Sequence, residues 1–261
     1  MGSSTVEPKF SVVEKLNLKW VLQLLSSSIG RKFVMGITGL LLCGFLVAHL
    51  AGNLLLFAGK AQFDHYAHTL HSQEWLPLAE AGLFVLFLAH IYLAIVTTKD
   101  NKGARSVEYA VKQSKIKVMG KVLDISPPGN WMFVSGAVVL GFLIVHLIDL
   151  RLGIRPDIAY GTEADAFHNT ASVVSNSYSR LVYFVGILFL GFHLSHGFSS
   201  AFQSVGLSHR KYTPTIKLLG KIFAVLIAVG FAAIVILVPM LKHVQDELKS
   251  PPIVIETHSL D

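Results

Sequence analysis

Four histidines lie in the interior of long apolar segments, where an unpartnered histidine is energetically costly. They are His49, His90, His146 and His193, one in each of four segments. A polar side chain in the hydrocarbon region of a membrane marks a functional site by default. Imidazole is an axial ligand of haem iron, and two six-coordinate haems require four such ligands. The number and distribution of these histidines therefore predict two bis-histidine haems.

The segments that carry the histidines belong to a chain too apolar for an ordinary soluble domain. Hydrophobic residues make up 52% and charged residues 15% of its 261 residues, with a mean hydropathy of +0.58. A transmembrane helix needs about 20 apolar residues. Five runs meet this requirement and are apolar on all sides, unlike the helices of a soluble protein. We predict an all-α bundle of five transmembrane helices, with spans near 33–58, 78–98, 131–150, 181–203 and 217–240.

Basic residues predict the orientation of these spans. Of the 22 lysines and arginines, 16 lie before the first span or around the loops that join spans 2 to 3 and 4 to 5. The positive-inside rule therefore predicts a cytoplasmic N-terminus and an external C-terminus. Trp20, Trp75 and Trp131 stand at or near span ends, where interfacial aromatic residues are enriched. The net charge of +6 is mainly a topology signal, and no pattern indicates nucleic-acid binding.

The predicted organisation has three parts. Residues 1–30 form a cytoplasmic segment with a possible interfacial helix between residues 11 and 25. Residues 31–241 form the five-helix transmembrane domain. Residues 242–261 form a polar tail outside the membrane. The basic loop 99–128 is either a simple topology anchor or a docking surface for a soluble partner.

Depth along the helices groups the four histidines into two pairs. At about 1.5 Å per residue, His49 and His146 lie about 23–24 Å from the cytoplasmic ends of their spans. His90 and His193 lie about 12 Å from the cytoplasmic ends of theirs. Each depth thus receives two imidazoles from two helices, and the two levels differ by about 11–12 Å before tilt. This is the arrangement of two haems stacked across a membrane.

Two alternatives accompany this pairing. Any single buried histidine is more simply explained by a hydrogen bond to a neighbouring helix, but two matched depths are harder to obtain by chance. His196 competes with His193 for the fourth ligand position. It lies one turn along the same helix and about 4.5 Å deeper, so its depth matches that of His90 less well, and we favour His193.

Several other residues are candidates for supporting roles. Gly52 lies one turn after His49 and would leave a low face for a porphyrin. Arg31 and Lys32 either anchor the topology or bind a haem propionate or quinone carbonyl. Glu80 and Asp149, near the outer ends of their spans, either face water or serve proton uptake by a quinone. Three histidines are spaced so that a helix would place them on one face, where they could bind a metal ion: His65, His68 and His71. We favour the alternative that they are solvated loop residues.

With these residues identified, the chain resembles the five-helix, di-haem cytochrome b subunit of succinate:quinone oxidoreductases, the succinate dehydrogenase and quinol:fumarate reductase family. The similarity covers roughly residues 26–240, and its motif of highest specificity is His193-x3-Gly197-x8-Gly206. That spacing selects His193 over His196 and adds Gly197 as a residue that packs on haem. The other similar stretches are 27–32, 49–53 and 90–94, the last followed by Asn101, Ala104, Arg105 and Tyr109.

The resemblance implies a membrane anchor in a bacterial-type cytoplasmic membrane. Its expected cofactors are two haem b groups, held by His90 and His193 on the cytoplasmic side and by His49 and His146 on the outer side. Its expected partners are flavoprotein and iron–sulfur subunits on the cytoplasmic face, which would carry out the dicarboxylate chemistry, together with membrane lipid. Electrons would pass between these subunits and a quinone, either menaquinone or ubiquinone.

One departure from the family concerns proton transfer. Some fumarate reductase members carry a glutamate two residues before the ligand on span 4, whereas this chain has Gly191 there and no carboxylate in mid-membrane. A proton path of that kind is therefore not expected.

Two other functional classes compete with this interpretation. A transporter with a histidine proton relay would bind no haem and would commonly show an internal repeat or a broken helix, and we expect neither here. A different di-haem carrier would place two ligands on each of two helices, whereas here each ligand has its own helix.

Overall fold

The structure is a computed structural model that describes residues 19–103, 117–118, 121–122, 128–162 and 165–249. Two short strands, β1 (Lys117–Val118) and β2 (Lys121–Val122), pair antiparallel in the basic loop. All other regular elements are helical. The helices before this loop are α1 (Lys19–Ser26), α2 (Ser28–Asn53), α3 (Lys60–His71) and α4 (Leu76–Gly103). Those after it are α5 (Pro128–Leu147), α6 (Ala166–Ser175), α7 (Ser177–Ser204), α8 (Thr213–Leu237) and α9 (Lys242–Lys249). Short 3₁₀ turns follow α2 at Leu54–Ala58 and α8 at Val238–Met240, and a π-helical turn follows α5 at Ile148–Leu152.

Five of these helices, α2, α4, α5, α7 and α8, are long enough and apolar enough to span a membrane. The prediction of an all-α, five-span membrane protein is confirmed. Each helix begins two to five residues before the predicted apolar run, and in α2, α7 and α8 these added residues include polar ones. Ser27 caps α2 by accepting a hydrogen bond from the Gly30 amide at 3.0 Å, and Asn176 caps α7 through the amides of Tyr178 and Ser179.

The spans α2 and α7 pack against each other at the centre of the bundle. Helix α4 packs on α2, α5 packs on α7, and α8 packs mainly on α7. Within the described residues, no contact of similar extent joins α4 to α5. Large apolar side chains on the outward faces of the spans are exposed, as expected for surfaces that contact lipid. The four helices that carry the histidines thus form a four-sided bundle with one open side.

A cap of short helices covers the end of the bundle that was predicted to face outward, which is called the outer end. Residues 60–71, 166–175 and 242–249 form α3, α6 and α9, which pack on one another and on the 3₁₀ turns. Their shared apolar core includes Leu56, Phe167, Val238 and Val244, all fully buried. The outer segments between spans 1 and 2 and between spans 3 and 4 are therefore folded. The tail predicted from residue 242 begins as a packed helix, because Val244 is buried in this apolar core.

Gly206 ends α7 in the left-handed region at φ 87°. The Gly206 amide donates to the Gln203 carbonyl at 3.1 Å, and the Leu207 amide donates to the Phe202 carbonyl at 2.9 Å. These two bonds form a Schellman motif, in which glycine avoids the steric cost that a Cβ would bring. The last glycine of the predicted motif therefore has a structural role at the end of the helix.

The N-terminal and loop predictions lie only partly within the described residues. Helix α1 overlaps the segment in which an interfacial helix was predicted, and its Trp20 is exposed. Most of residues 1–30 and of the basic loop 99–128 lies outside the described residues. The same is true of residues 250–261 in the C-terminal tail.

Candidate functional site

The structure brings the four span histidines together in the two pairs that depth had grouped. His49 on α2 faces His146 on α5 with ring centroids 5.8 Å apart, and His90 on α4 faces His193 on α7 at 6.4 Å. Each pair joins helices from opposite corners of the four-sided bundle. Both pairs therefore point into its interior.

The ring separations suit an iron atom between the two imidazoles. Two metal–nitrogen bonds of about 2.0–2.1 Å plus the distances from each nitrogen to its ring centre give about 6.4 Å between ring centres. The separation of His90 and His193 equals this distance, whereas the rings of His49 and His146 would have to move apart by about 0.6 Å. With that small shift, the residues present fit two bis-histidine groups.

Hydroxyl groups lie beside both rings of the pair His90 and His193, which is called the cytoplasmic-side pair after its predicted position, as His49 and His146 are called the outer pair. His90 Nδ1 lies 3.1 Å from Thr38 Oγ1, whose own proton goes to the Met35 carbonyl at 3.0 Å. His193 Nδ1 lies 3.2 Å from Ser135 Oγ, which donates to the carbonyl of Met132 at 3.1 Å. With each hydroxyl proton assigned to the carbonyl of its own helix, the imidazole Nδ1–H is the donor to the hydroxyl oxygen. This assignment leaves the Nε2 lone pair of each ring free to bind a metal.

Two glycines let these rings lie flat against neighbouring helices. A Cβ at Gly39 would be 3.4 Å from His90 Cε1, and a Cβ at Gly136 would be 3.4 Å from His193 Cε1. Gly44 on α2 and Gly141 on α5 have no atom within 4 Å of a Cβ position. The backbone at Gly39 and Gly136 thus lies close to the two rings, and the positions beside Gly44 and Gly141 are open.

The outer pair has different surroundings. Phe45 stacks on His49 with ring centroids 5.2 Å apart, and Phe142 lies 5.6 Å from His146. His49 Nδ1 is 3.5 Å from the Asn53 amide nitrogen. His146 Nδ1 is buried without a hydrogen-bond partner. The outer histidines are therefore held mainly by aromatic packing.

The contacts also measure the distance between the two levels. Gly39, which touches His90, lies ten residues before His49, and Gly136, which touches His193, lies ten residues before His146. Ten residues of helix rise about 15 Å. This separation is larger than the predicted 11–12 Å, because residue counts from the span ends assume that the ends of neighbouring helices lie at the same depth.

The supporting candidates occupy varied positions. His196 is exposed, and its ring nitrogen lies near the carbonyl of Phe192 at 3.3 Å, away from the bundle interior. Gly197 faces Met132 at 3.6 Å, and the low face of Gly52 is filled by Tyr66, whose hydroxyl would lie 2.5 Å from a Cβ. Arg31 forms an ion pair with Asp100 at 3.2 Å, near the start of α2 and the end of α4. The roles of Gly52, Gly197 and Arg31 toward a haem stay predictions.

The two carboxylates named for quinone chemistry differ in exposure. Glu80 is exposed and pairs with Arg151 at 3.2 Å. Asp149 is fully buried, accepts a hydrogen bond from Ser179 Oγ at 2.9 Å, and lies 3.2 Å from the guanidinium of Arg155. Arg155 also pairs with Asp157 and holds the pKa of that exposed carboxyl below its ordinary value. The surroundings of Asp149 are those of a structural ion pair.

A second charged cluster joins the helices of the outer cap. Lys60 on α3 pairs with Asp165 before α6 and, at 2.8 Å, with Glu247 on α9. Burial by itself lowers the pKa of Lys60, but hydrogen bonds to Asp165 and Glu247 outweigh this effect and raise it. His168 lies 3.6 Å from Glu247. The lysine ammonium occupies the position between the carboxylates, so the cluster serves as an ionic link between helices.

The three histidines at 65, 68 and 71 lie on the exposed side of α3. Among the described residues, the only group of at least three His, Cys, Asp or Glu side chains close enough to share a metal ion is Asp165, His168 and Glu247. The favoured interpretation of His65, His68 and His71 as solvated residues agrees with their exposure.

An internal repeat, which the sequence analysis missed, relates α2 to α5. Residues 35–50 read MGITGLLLCGFLVAHL and residues 132–147 read MFVSGAVVLGFLIVHL, with seven of 16 positions identical. The identical residues include the ligand candidates His49 and His146 and the supporting Gly39 and Gly136. The expectation that the chain has no repeat is therefore wrong. The signal was present in the sequence, but the equivalent contacts to His90 and His193 make its meaning clear.

Comparisons with known proteins give no match: no protein-family model matches the chain, and no curated protein or solved structure is significantly similar to it. The functional interpretation therefore depends on the chain's own residues and geometry.

Proposed function

We propose that this protein is a membrane-anchor cytochrome b subunit that carries electrons through two bis-histidine haems between a cytoplasmic iron–sulfur/flavoprotein dicarboxylate oxidoreductase and a membrane quinone. The location would be a bacterial-type cytoplasmic membrane. The observation that carries the proposal is the placement of two histidine pairs in the bundle interior, with ring centroids 5.8 Å and 6.4 Å apart.

In this proposal the chain's residues hold and orient the cofactors. His90 and His193 would bind the cytoplasmic-side haem through Nε2, while Thr38 and Ser135 hold their other ring nitrogens. His49 and His146 would bind the outer haem, with aromatic rings excluding water around them. When bound, haem iron supplies reversible one-electron transfer, and the protein tunes it through ligands, hydrogen bonds and burial.

The quinone and partner assignments are further parts of the proposal. The family resemblance supports a soluble partner at the cytoplasmic ends of the spans, where the basic loop 99–128 lies. Glu80 is the better of the two carboxylates for proton uptake by a quinone, because it is exposed and, among the described residues, its ion pair is with the exposed Arg151. Asp149 is less suitable because it is buried and forms an ion pair with Arg155.

The histidine-relay transporter remains the alternative function, and the internal repeat is a feature that it shares with many transporters. Parallel repeats occur in transporters, where substrate sites commonly lie at broken helices. Here α2 and α5 are continuous helices across the repeated residues. The repeat superimposes His49 on His146, the two candidate ligands of one haem, and Gly39 on Gly136, which lie beside the two candidate ligands of the other. It therefore favours equivalent ligand positions on the two sides of each haem.

A reduced-minus-oxidised optical spectrum with a haem-to-protein ratio tests the proposal on the purified full-length chain. We expect about two b-type haems per chain for four axial histidines. Well-folded protein without haem would contradict electron transfer and favour the transporter. The same measurement on variants then assigns the ligands.

His193→Ala and His196→Ala form a matched pair for that assignment. His193 faces His90 in the bundle interior, whereas His196 is exposed on the same helix. We expect His193→Ala to lose one of the two haems and His196→Ala to retain both. Loss of a haem on removing His196 instead would move one ligand and contradict the present assignment.

A further inference from the structure

We propose that Thr38 and Ser135 are positioning residues that set the donor strength of His90 and His193, and thereby lower the reduction potential of the cytoplasmic-side haem alone. This inference rests on the proposed function. It assigns to two buried hydroxyl groups a specific effect on one of the two cofactors. The two residues lie on different helices, α2 and α5, yet act on the same site.

The hydroxyl groups are placed for this role and have little access to water. Thr38 is 6% exposed and Ser135 is 3% exposed. Each accepts from an imidazole Nδ1 on the neighbouring span, at 3.1 Å and 3.2 Å respectively, and donates to a carbonyl of its own helix. A water molecule is not required to complete either chain of hydrogen bonds. The hydroxyl oxygens therefore fix both the tautomer and the rotation of the two rings.

A hydrogen bond at Nδ1 changes how strongly the ring donates electron density to iron through Nε2. An imidazole that donates its proton to an acceptor gains electron density and becomes a more basic ligand. A more basic ligand stabilises ferric iron relative to ferrous iron, which lowers the reduction potential. Both axial ligands of the cytoplasmic-side haem would receive this effect.

The outer pair lacks an equivalent device among the described residues. His146 Nδ1 has no hydrogen-bond partner, and His49 Nδ1 faces an amide nitrogen of Asn53 at 3.5 Å. The ligands of the outer haem would therefore be weaker donors. The hydroxyl groups would therefore act on the ligands of one haem and not on those of the other.

The internal repeat gives independent support for a shared role. Thr38 and Ser135 occupy equivalent positions in residues 35–50 and 132–147, and each precedes a glycine that touches the same histidine ring. A hydroxyl residue is thus kept at both positions while nine of the 16 positions differ. Thr38 is also 52 residues from His90, so the pairing arises from helix packing and not from local helix geometry.

Redox titration of the haem-loaded full chain, with both haems followed optically, tests the inference. The variants are Thr38→Val and Ser135→Ala, which remove the hydroxyls, and Thr38→Ser, which retains one. Thr98→Val is a matched control, because among the described residues the Thr98 hydroxyl bonds to the Ala94 carbonyl of its own helix, at 2.6 Å, and to no histidine. We expect Thr38→Val and Ser135→Ala to favour the reduced state of the same haem by up to about tenfold each, equal to about 59 mV for one electron.

The outcomes separate this inference from the proposed function. Thr38→Ser and Thr98→Val should leave both potentials unchanged, and the second haem should be unaffected in every variant. Two haems with unchanged potentials in Thr38→Val and Ser135→Ala would overturn the role of the hydroxyls while retaining the proposed function. Absence of haem from folded wild-type protein would overturn the proposed function itself. If Thr38→Val binds no haem, its comparison is with Thr38→Ser, which keeps the hydroxyl. A normal ferric low-spin spectrum in Thr38→Ser would then show that the hydroxyl is what the site needs at position 38.

Discussion

The imidazole planes within each histidine pair are nearly perpendicular. The angle is 87° for His49 and His146 and 76° for His90 and His193. The helices and the residues packed beside each ring determine these angles: a hydroxyl and a glycine on the cytoplasmic side, and phenylalanines on the outer side. The orientation of an axial ligand is one of the means by which a protein tunes haem iron.

Perpendicular ligands predict a characteristic magnetic signal. Their π interactions with the two relevant iron d orbitals become equal, which brings those orbitals close in energy. We therefore expect strongly axial low-spin ferric signals from both haems in electron paramagnetic resonance. Rhombic signals from both sites would contradict the observed ring orientations. Thr38→Val, which frees the His90 ring to rotate, should change one signal and leave the other unchanged.

At the scale of elements, glycines control how closely the histidine-bearing helices approach. Gly186 on α7 faces Phe142 on α5, where a Cβ would lie 2.4 Å from the ring. Phe142 in turn packs on Tyr183 and on His146. The spacing of α5 and α7 is therefore linked to the position of an outer-pair ligand.

Gly186→Ala should force Phe142 and α5 to move. Overpacking of this kind costs about 1–3 kcal/mol of unfolding free energy. Gly82→Ala is the matched control, because no atom lies within 4 Å of a Cβ at that position of α4. We expect thermal unfolding in the same detergent to show a lower midpoint for Gly186→Ala and no decrease for Gly82→Ala. Equal midpoints for the two variants would contradict the packing described.

At the scale of the whole molecule, ion pairs tie the outer cap to the spans. Arg155 lies in the segment between α5 and α6 and contacts Asp149 at the end of span 3 and Ser179 at the start of α7. Its Nη1 to Ser179 Oγ distance is 2.6 Å. A single guanidinium thus connects two spans and the intervening segment. Lys60 makes an analogous connection among α3, α6 and α9.

Arg155→Gln should destabilise the protein more than the loss of a surface charge does. It leaves the fully buried Asp149 without its cation, and removal of one partner of a buried pair costs about 3–5 kcal/mol. Arg151→Gln, which breaks only the exposed pair with Glu80, should cost about 0–1 kcal/mol. The double variant Asp149→Asn/Arg155→Gln should recover part of the lost stability. Denaturation of Arg155→Gln, Arg151→Gln and the double variant measures the three free energies of unfolding. A single Arg155→Gln change without effect would show that Asp149 needs no counterion.

Much of the architecture follows from the chain alone. Bilayer thickness sets the length of a span, so that five apolar runs predicted five helices. The constant rise of an α-helix allowed residue counts to group His49 with His146 and His90 with His193 before any contact was known. The repeat of residues 35–50 at 132–147 was also readable, although conservative changes at most positions concealed it.

Tertiary structure decided the environment of each site residue. Thr38 and His90 are 52 residues apart, and Ser135 and His193 are 58 apart, so periodicity within a helix could not reveal these hydrogen bonds. Tyr66 fills the face of Gly52, and Arg155 neutralises Asp149, because the outer segments fold back over the bundle. Composition and rise determine how deep a residue lies in a membrane, whereas the packing of distant segments determines what it touches.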